Sequence, residues 1–363
     1  MNAPGTVWEN IRIAVLRIWS VKKARFPLVT GAVLLATASA FLAWVFLWPN
    51  WFSAPTERVV YVSRGDTFNR VTDSLYAKGI IRSKAALKIA GRMLGWTTEL
   101  KVGRYVFSSG LSNLTILSGL HDGSARTLIP VAIPEGVRMT FIAGRVGREL
   151  GLDSTRVMDL CTDSALIASW NVPASSLEGY LMPDTYFFHW QTDERAVVER
   201  FLHGFRQFYA DSLVRRQEEL GMTLHEVVTL ASIVDRETQL PWERGVVAGV
   251  YHNRLRRGMK LEADPTIQYI LPDGPRRLLY NDLRISSPYN TYRNRGLPPG
   301  PIGNPGREAI LAVLYPEKHE YLYFVADGKG GHTFSRSYAE HLRAVREFRR
   351  VRREIQRQTN LDS

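Results

Sequence analysis

Residues 26–48 read FPLVTGAVLLATASAFLAWVFLW, twenty-three positions without one ionisable side chain, and none follows before Glu57. As a helix rising about 1.5 Å per residue, this stretch reaches roughly 35 Å, enough to cross a hydrocarbon core of about 30 Å. It reads as a single transmembrane helix. Trp44, Trp48 and Trp51 stand at its far end like an aromatic belt, and Lys22, Lys23 and Arg25 at its near end hold the N-terminus in the cytoplasm by the positive-inside rule. Residues 1–25 are then a cytoplasmic tail and 49–57 a linker. Everything beyond is then expected outside the cytoplasmic (inner) membrane of the cell, on its periplasmic or outer face. A cleaved signal peptide is the competing reading, because Ala36, Ala38 and Ala40 offer small-residue sites; against it, the apolar run continues through Phe41, Leu42, Trp44, Val45 and Phe46, where a cleaved segment turns polar.

The same stretch explains the charge. The chain of 363 residues carries 47 Lys and Arg against 35 Asp and Glu, a net charge of +12 that invites a nucleic-acid reading. Residues 1–25 hold five basic side chains against Glu9, and residues 341–363 hold seven arginines against Glu347, Glu354 and Asp362, so each end contributes +4. The remaining 315 residues are left with only +4. A broad basic surface able to follow a phosphate backbone is absent from this pattern, and no nucleic-acid partner is expected. With 45% hydrophobic and 23% charged residues, wholesale disorder, a collagen-like fibre and a multi-span transporter are excluded. The lone cysteine, Cys161, excludes an internal disulfide and a zinc site built on paired cysteines, and reads as a buried small hydrophobe.

Beyond the linker the pattern is mixed, which makes the fold class α+β. Residues 58–126 read as a small subdomain: an alternating strand from Val59, a turn at Gly65-Asp66-Thr67 opening a helix over Val71 and Leu75, a second helix over 83–94, a returning strand over 101–107 and a helix from Ser112. This order resembles a LysM module, which binds N-acetylated glycans; a spacer with no ligand fits it equally well. Residues 127–363 form the larger, second domain. It opens on a strand over 128–133, with helices expected over 140–150, 154–160, 193–220 and 224–237. A strand over 321–325, a glycine-rich turn at 327–331 and an amphipathic helix from 337 close the chain.

Few residues are arranged for chemistry. The glycine-rich turn lacks the Walker A spacing, no histidine pair has the HExxH spacing, and no GxSxG elbow is present, so no metal or cofactor is expected. What remains is carboxylates among aromatics. On a helical wheel begun at Leu224, Leu230, Ile233 and Val234 fall at about 240°, 180° and 280°, and Glu237 falls among them at about 220°. Arg236, at about 120°, points away. A carboxyl on an apolar face without a cation beside it has a raised pKa, as a general acid working near neutrality requires. The alternative from phase alone is that Glu237 ends its helix and reaches solvent.

The surrounding residues carry a resemblance. Ala231-Ser-Ile-Val-Asp-Arg-Glu237-Thr is followed by Val250-Tyr-His-Asn-Arg254, Asp264-Pro-Thr, Pro288-Tyr-Asn-Thr-Tyr292, Gly296-Leu-Pro-Pro-Gly300 and Tyr323-Phe-Val-Ala-Asp-Gly-Lys-Gly-Gly-His-Thr-Phe334. Upstream stand Ile133-Pro-Glu-Gly136 and Leu177-Glu-Gly-Tyr-Leu-Met-Pro-Asp-Thr-Tyr186. In this order they resemble the YceG-like (MltG) family of endolytic murein transglycosylases. The resemblance implies one membrane anchor, a LysM-like subdomain and a catalytic domain, with Glu237 as the catalytic glutamate. Asp235, where many relatives carry glutamate, is a departure two residues from that position.

The implied reaction cleaves the β-1,4 bond between N-acetylmuramic acid and N-acetylglucosamine in nascent peptidoglycan strands. The muramic 6-hydroxyl attacks its own anomeric carbon, so one carboxyl can serve as acid and then base and leave a 1,6-anhydromuramyl end. Glu178, Asn290 and Tyr292 are candidates for the glycan-facing, substrate-binding shell; Glu178 serves equally as a turn cap and Tyr292 as a core residue. Asp264, before Pro265, reads as a turn former, and residues 296–306 as a cleft-lining loop. Peptidoglycan synthases are the implied partners, and termination of glycan elongation the implied role. A catalytically silent glycan-binding scaffold for cell-wall enzymes is the alternative.

Overall fold

The computed structural model describes residues 29–359 except 273 and 275, together with residue 12. The expected cytoplasmic tail, residue 12 apart, lies outside the described residues, as do positions 26–28 of the expected span and residues 360–363. The chain divides into two compact units, Met1–Leu128 and Ile129–Ser363.

In the first unit, α1 (Val29–Leu47) is long and apolar enough to cross a membrane. Its last turn, Ala43–Leu47, winds as a π-helix and turns Val45 into the unit's core, where the Val45 carbonyl accepts from Asn113 Nδ2 at 2.8 Å. There follow β1 (Pro49–Asn50), β2 (Glu57–Val62), α2 (Phe68–Ala77), α3 (Lys84–Leu94), β3 (Gly103–Ser108), β4 (Leu111–Ser112), α4 (Asn113–Asp122) and β5 (Arg126–Thr127). β2 and β3 pair antiparallel from Glu57 opposite Ser108 to Val62 opposite Gly103, with β5 on the other side of β3. The alternation of a pleated strand sends Val60, Val62, Tyr105 and Phe107 inward against α2, α3 and α4. Thr67, Ser83 and Ser112 cap those helices by accepting from the amide three residues on. The expected linker is partly knit into the unit: β1 pairs with β4, and the Asn50 side chain bonds Leu111 O, Asn113 Oδ1 and Arg82 N.

The second unit runs β6 (Ile129–Ala132), α5 (Met139–Leu150), α6 (Ser154–Thr162), α7 (Ser164–Ser169), β7 (Thr185–Phe188), α8 (Glu194–Phe208), α9 (Asp211–Glu219), α10 (Leu224–Glu237), α11 (Pro241–Arg256), α12 (Asp264–Ile270), α13 (Arg307–Leu314), β8 (Tyr323–Ala326), β9 (His332–Ser335) and α14 (Tyr338–Thr359). Its sheets are two antiparallel pairs, β6 with β7 and β8 with β9, and helices supply most of its core. The single helix expected over 193–220 is two helices. Tyr209 leaves helical geometry, stacks on Phe205 and bonds Gln217, which lets Tyr209 and Leu213 both reach the core. α11 and α13 were not expected. Both are buried on several faces, and a helix covered all round loses the polar stripe that periodicity detects. The same holds for α10, buried at every position from Val227 to Asp235 rather than along one face.

Candidate functional site

α10 is fixed at both ends. At its start Thr223 and Glu226 form a reciprocal capping box. At its end three segments converge: Arg236 Nη1 donates to Gly136 O at 3.0 Å, and Arg244 of α11 reaches Glu135 at 3.0 Å and Asp235 at 3.4 Å. The Ile133-Pro-Glu-Gly136 motif therefore braces the turn from which Glu237 projects. Burial, followed by the negative charge of Glu135, raises the Asp235 carboxyl to about 6.

Glu237 is half-buried and lines a cleft of about 450 Å³. Burial raises its pKa to about 7, and the charge of Asp264 adds to this; a hydrogen bond from Tyr251 and the charge of Arg254 oppose the rise. The carboxyl is thus poised to give and take a proton near neutrality. It is not uncompensated, as its helical phase suggested, because its partners come from the next helix.

The Tyr251-His-Asn-Arg254 run explains how that helix builds the cleft, since its four consecutive side chains each hold a different neighbour. Tyr251 donates to Glu237 Oε1 at 2.6 Å. His252 Nε2 donates to Val313 O, and Asn253 Nδ2 donates to His319 O and Tyr321 O, each at 2.9 Å. Arg254 donates to Leu322 O at 2.6 Å, to Leu261 O at 2.8 Å and to Glu262 Oε2 at 3.2 Å. The guanidinium thereby anchors the start of the β8–β9 hairpin and the 260–262 segment, which form two walls.

On the hairpin, Asp327 Oδ1 accepts from Lys329 N and Gly331 N, so the glycine-rich turn is an aspartate-closed hairpin turn. It presents His332 to the cleft. The nearly buried Glu243 carboxylate accepts from His332 N at 2.8 Å, meets His332 Nδ1 at 2.7 Å and accepts from Thr238 Oγ1 at 3.1 Å. The residue after Glu237 and the histidine of the Gly-Gly-His-Thr motif are thus joined through one carboxylate. Among the described residues no three His, Cys, Asp or Glu side chains gather as a metal ion would need.

Of the three residues expected to face the glycan, only Tyr292 lines this cleft; its hydroxyl donates to Asp264 Oδ1 at 2.5 Å. Asn290 is fully buried and organises the loop beneath, donating to Leu283 O and Ile285 O and accepting from Tyr292 N. Glu178 is buried and accepts from Met139 N and from Asn304 Nδ2, both at 2.9 Å. Burial raises it to about 7 and, followed by the charge of Glu178, raises the buried Cys161 thiol to about 12. Residues 296–306 do not line the cleft either: Asn304 bonds Gly179 N, Leu181 N and Val137 O, making this loop an internal strut. Asp264 was read as a turn former, and instead its exposed carboxyl stands in the cleft with Glu237. Tyr251 and Arg254 stood in a quoted motif but were given no role, and Glu243 carried no signal, since their roles exist only once α11 packs beside α10.

A helix-rich α+β unit with one half-buried acid in an aromatic cleft is the class this geometry defines, and the chain belongs to the YceG-like family, whose model matches residues 60–347. It is similar to the endolytic murein transglycosylase of Bacillus subtilis, at 27% identity over 80% of this chain and 84% of that protein. It is similar also to the endolytic murein transglycosylase of Streptococcus pneumoniae R6, at 27% identity over 78% of this chain and 58% of that one. A crystal structure of a YceG-like protein from Listeria monocytogenes matches with a TM-score of 0.58 and 29% identity, covering 80% of this chain and 99% of that one.

Proposed function

We propose that this chain is a peptidoglycan lytic transglycosylase in which Glu237 is the single acid and base. The observation that carries the reading is the Glu237 carboxyl, raised to about 7 in a cleft where Tyr251 fixes one of its oxygens. Protonated Glu237 donates to the glycosidic oxygen as the bond from the muramoyl anomeric carbon breaks. The resulting carboxylate takes the proton of the muramoyl 6-hydroxyl as that oxygen closes on the anomeric carbon. No water is activated, so no second carboxylate is needed as a base, unlike in ordinary glycosidases. The transglycosylase names of its relatives support the substrate class.

In this reading the protein is an endolytic enzyme anchored by α1, with its N-terminus cytoplasmic and its catalytic unit outside, where it cuts nascent strands beside the synthases. The apolar length of α1 and the basic residues before it support the anchor. The strand, helix, helix, strand order of β2, α2, α3 and β3 supports a LysM-like first unit.

Mass spectrometry of fragments released from purified glycan strands by the full chain tests the reading. Fragments ending in 1,6-anhydromuramic acid are expected, and Glu237→Gln is expected to release none. Reducing ends would indicate a hydrolase, and no fragments from a folded wild-type chain would indicate a scaffold.

A further inference from the structure

We propose that Asp264 is a second catalytic carboxylate of this cleft: held in place by Tyr292, it sets a fixed negative charge against the oxocarbenium-like charge that develops at the muramoyl anomeric carbon while Glu237 moves the proton. The inference rests on the transglycosylase reading and adds the group that reading leaves unnamed.

The seat of Asp264 is rigid. It begins α12, and the residues on either side are clamped to the 290–292 loop: Glu262 N donates to Thr291 O at 3.2 Å, Ala263 N donates to Thr291 Oγ1 at 3.0 Å, and Thr266 Oγ1 lies 2.9 Å from the same oxygen. Tyr292, next in that loop, fixes the carboxylate itself. Burial, followed by the bond to Asp264, keeps the Tyr292 phenol protonated and hence a permanent donor. Among the described residues no lysine or arginine pairs with Asp264; Arg254, the nearby cation, is committed to Glu262 and to backbone carbonyls. The charge of Asp264 is therefore not cancelled within the protein. A preorganised charge of this kind, directed at where charge develops, stabilises the transition state without reorganising.

One charge then does two things. In the free enzyme it helps to keep Glu237 protonated, and in the transition state it faces the positive ring. As the anomeric bond breaks, the Glu237 proton passes to the departing sugar oxygen. As the 6-oxygen bonds the anomeric carbon, its proton passes to Glu237. Asp264 forms no bond and exchanges no proton. The other groups facing Glu237 are Tyr251 and Arg254 from α11, Glu262 before α12, and Tyr292; β8 and β9 bring Tyr323 and His332, and α14 brings Tyr338 and His341.

Asp264→Asn in the detergent-solubilised full chain keeps the size of this exposed side chain and removes its charge. The expected result is a fall in kcat of about 100-fold with KM held within about threefold. The alkaline limb of the kcat profile should also move to lower pH, because Glu237 then loses its proton sooner. Tyr292→Phe should fall between wild type and Asp264→Asn. Carbon NMR of labelled glutamate should show the Glu237 midpoint lowered by about half a unit to one unit in Asp264→Asn, a readout that needs no turnover. Unchanged kcat, or a lost kcat with an unmoved Glu237 midpoint, would overturn the proposal. Wild-type digests without anhydro ends would overturn the transglycosylase reading instead, and the NMR midpoint would still report the coupling by itself.

Discussion

The hydroxyl of Tyr251 and the Oε1 of Glu237 lie 2.6 Å apart, the tyrosine donating from the interior of α11 to a carboxyl at the last residue of α10. The bond sets the orientation of the acid, and it favours the ionised form against burial and the charge of Asp264. Both protonation states of Glu237 are needed within one catalytic cycle. A carboxyl held near 7 by opposing influences can supply each.

Tyr251→Phe removes the bond and keeps the ring. With the stabilising donor gone, the carboxylate is less favoured and the Glu237 pKa rises above its present value of about 7. A hydrogen bond to a charged group contributes about 1.5–3 kcal/mol, equivalent to roughly one to two pH units. The alkaline limb of the rate profile, and with it the pH optimum, should therefore shift upward by about one unit. Initial rates across the pH range check this; an optimum that stays put would mean that Tyr251 only packs.

Glu237→Gln should abolish strand cleavage and also stabilise the fold at alkaline pH. The folded pKa of about 7 lies above the ordinary value of 4.5, so the folded chain holds this proton more tightly than the unfolded chain. Stability from this group is then full below about 4.5 and is lost as pH rises through about 7. The neutral amide escapes that loss. Thermal melts should place the variant about 1–3 kcal/mol above wild type at pH 8 and level with it at pH 4. Glu178 and Asp235 are raised in the same direction, so stability should still decline across this window in the variant, though less than in wild type.

Glu178 and Asn304 should behave as structural residues. Asn304 Oδ1 accepts from Gly179 N and Leu181 N while its Nδ2 donates to Val137 O and Glu178 Oε1, tying three chain segments together in the interior. Asn304→Ala strands several buried groups at once and should cost about 3–5 kcal/mol of stability. Glu178→Gln keeps an oxygen for Met139 N and Asn304 Nδ2, so KM for glycan strands should stay within about twofold of wild type. A large rise in KM with an unchanged melting temperature would instead place Glu178 against the substrate.

How much of this could be read from the chain depended on where each signal lay. The apolar run ending at Leu47 and the caps at Ser83 and Ser112 are local, and local chemistry is written in consecutive residues. Glu237 stood out as a candidate because it falls in phase with Leu230, Ile233 and Val234, but α10 is buried all round and the partners that hold the acid come from α11, which no wheel of α10 shows. Asp264 drew no attention as a cleft residue because an aspartate before proline is ordinary chemistry for starting a helix or turn, and the Tyr292 that bonds its carboxyl lies 28 residues away. Glu178 misled in the opposite sense: an acid in an aromatic, turn-rich stretch looks available for sugar, yet its partners Met139 and Asn304 are 39 and 126 residues distant.

The pairing of Glu243 with His332 yields the last prediction. Glu243 is the nearly buried acceptor for the amide of His332 and for Thr238, and it fixes Nδ1 of the ring, so the edge bearing Nε2 is the one left for substrate. Glu243→Gln puts an amide donor where two oxygens now accept three contacts, and the ring loses its fixed orientation. Stability should fall by about 1–3 kcal/mol. If His332 contacts the glycan, kcat/KM should fall about tenfold in this variant and by a similar factor in His332→Ala, with the double variant no worse than either single one. Rates and thermal melts on the four proteins separate the possibilities. Additive losses would mean that the two residues act independently, and an unchanged rate in His332→Ala would restrict the pair to holding β9 against the end of the Glu237 helix.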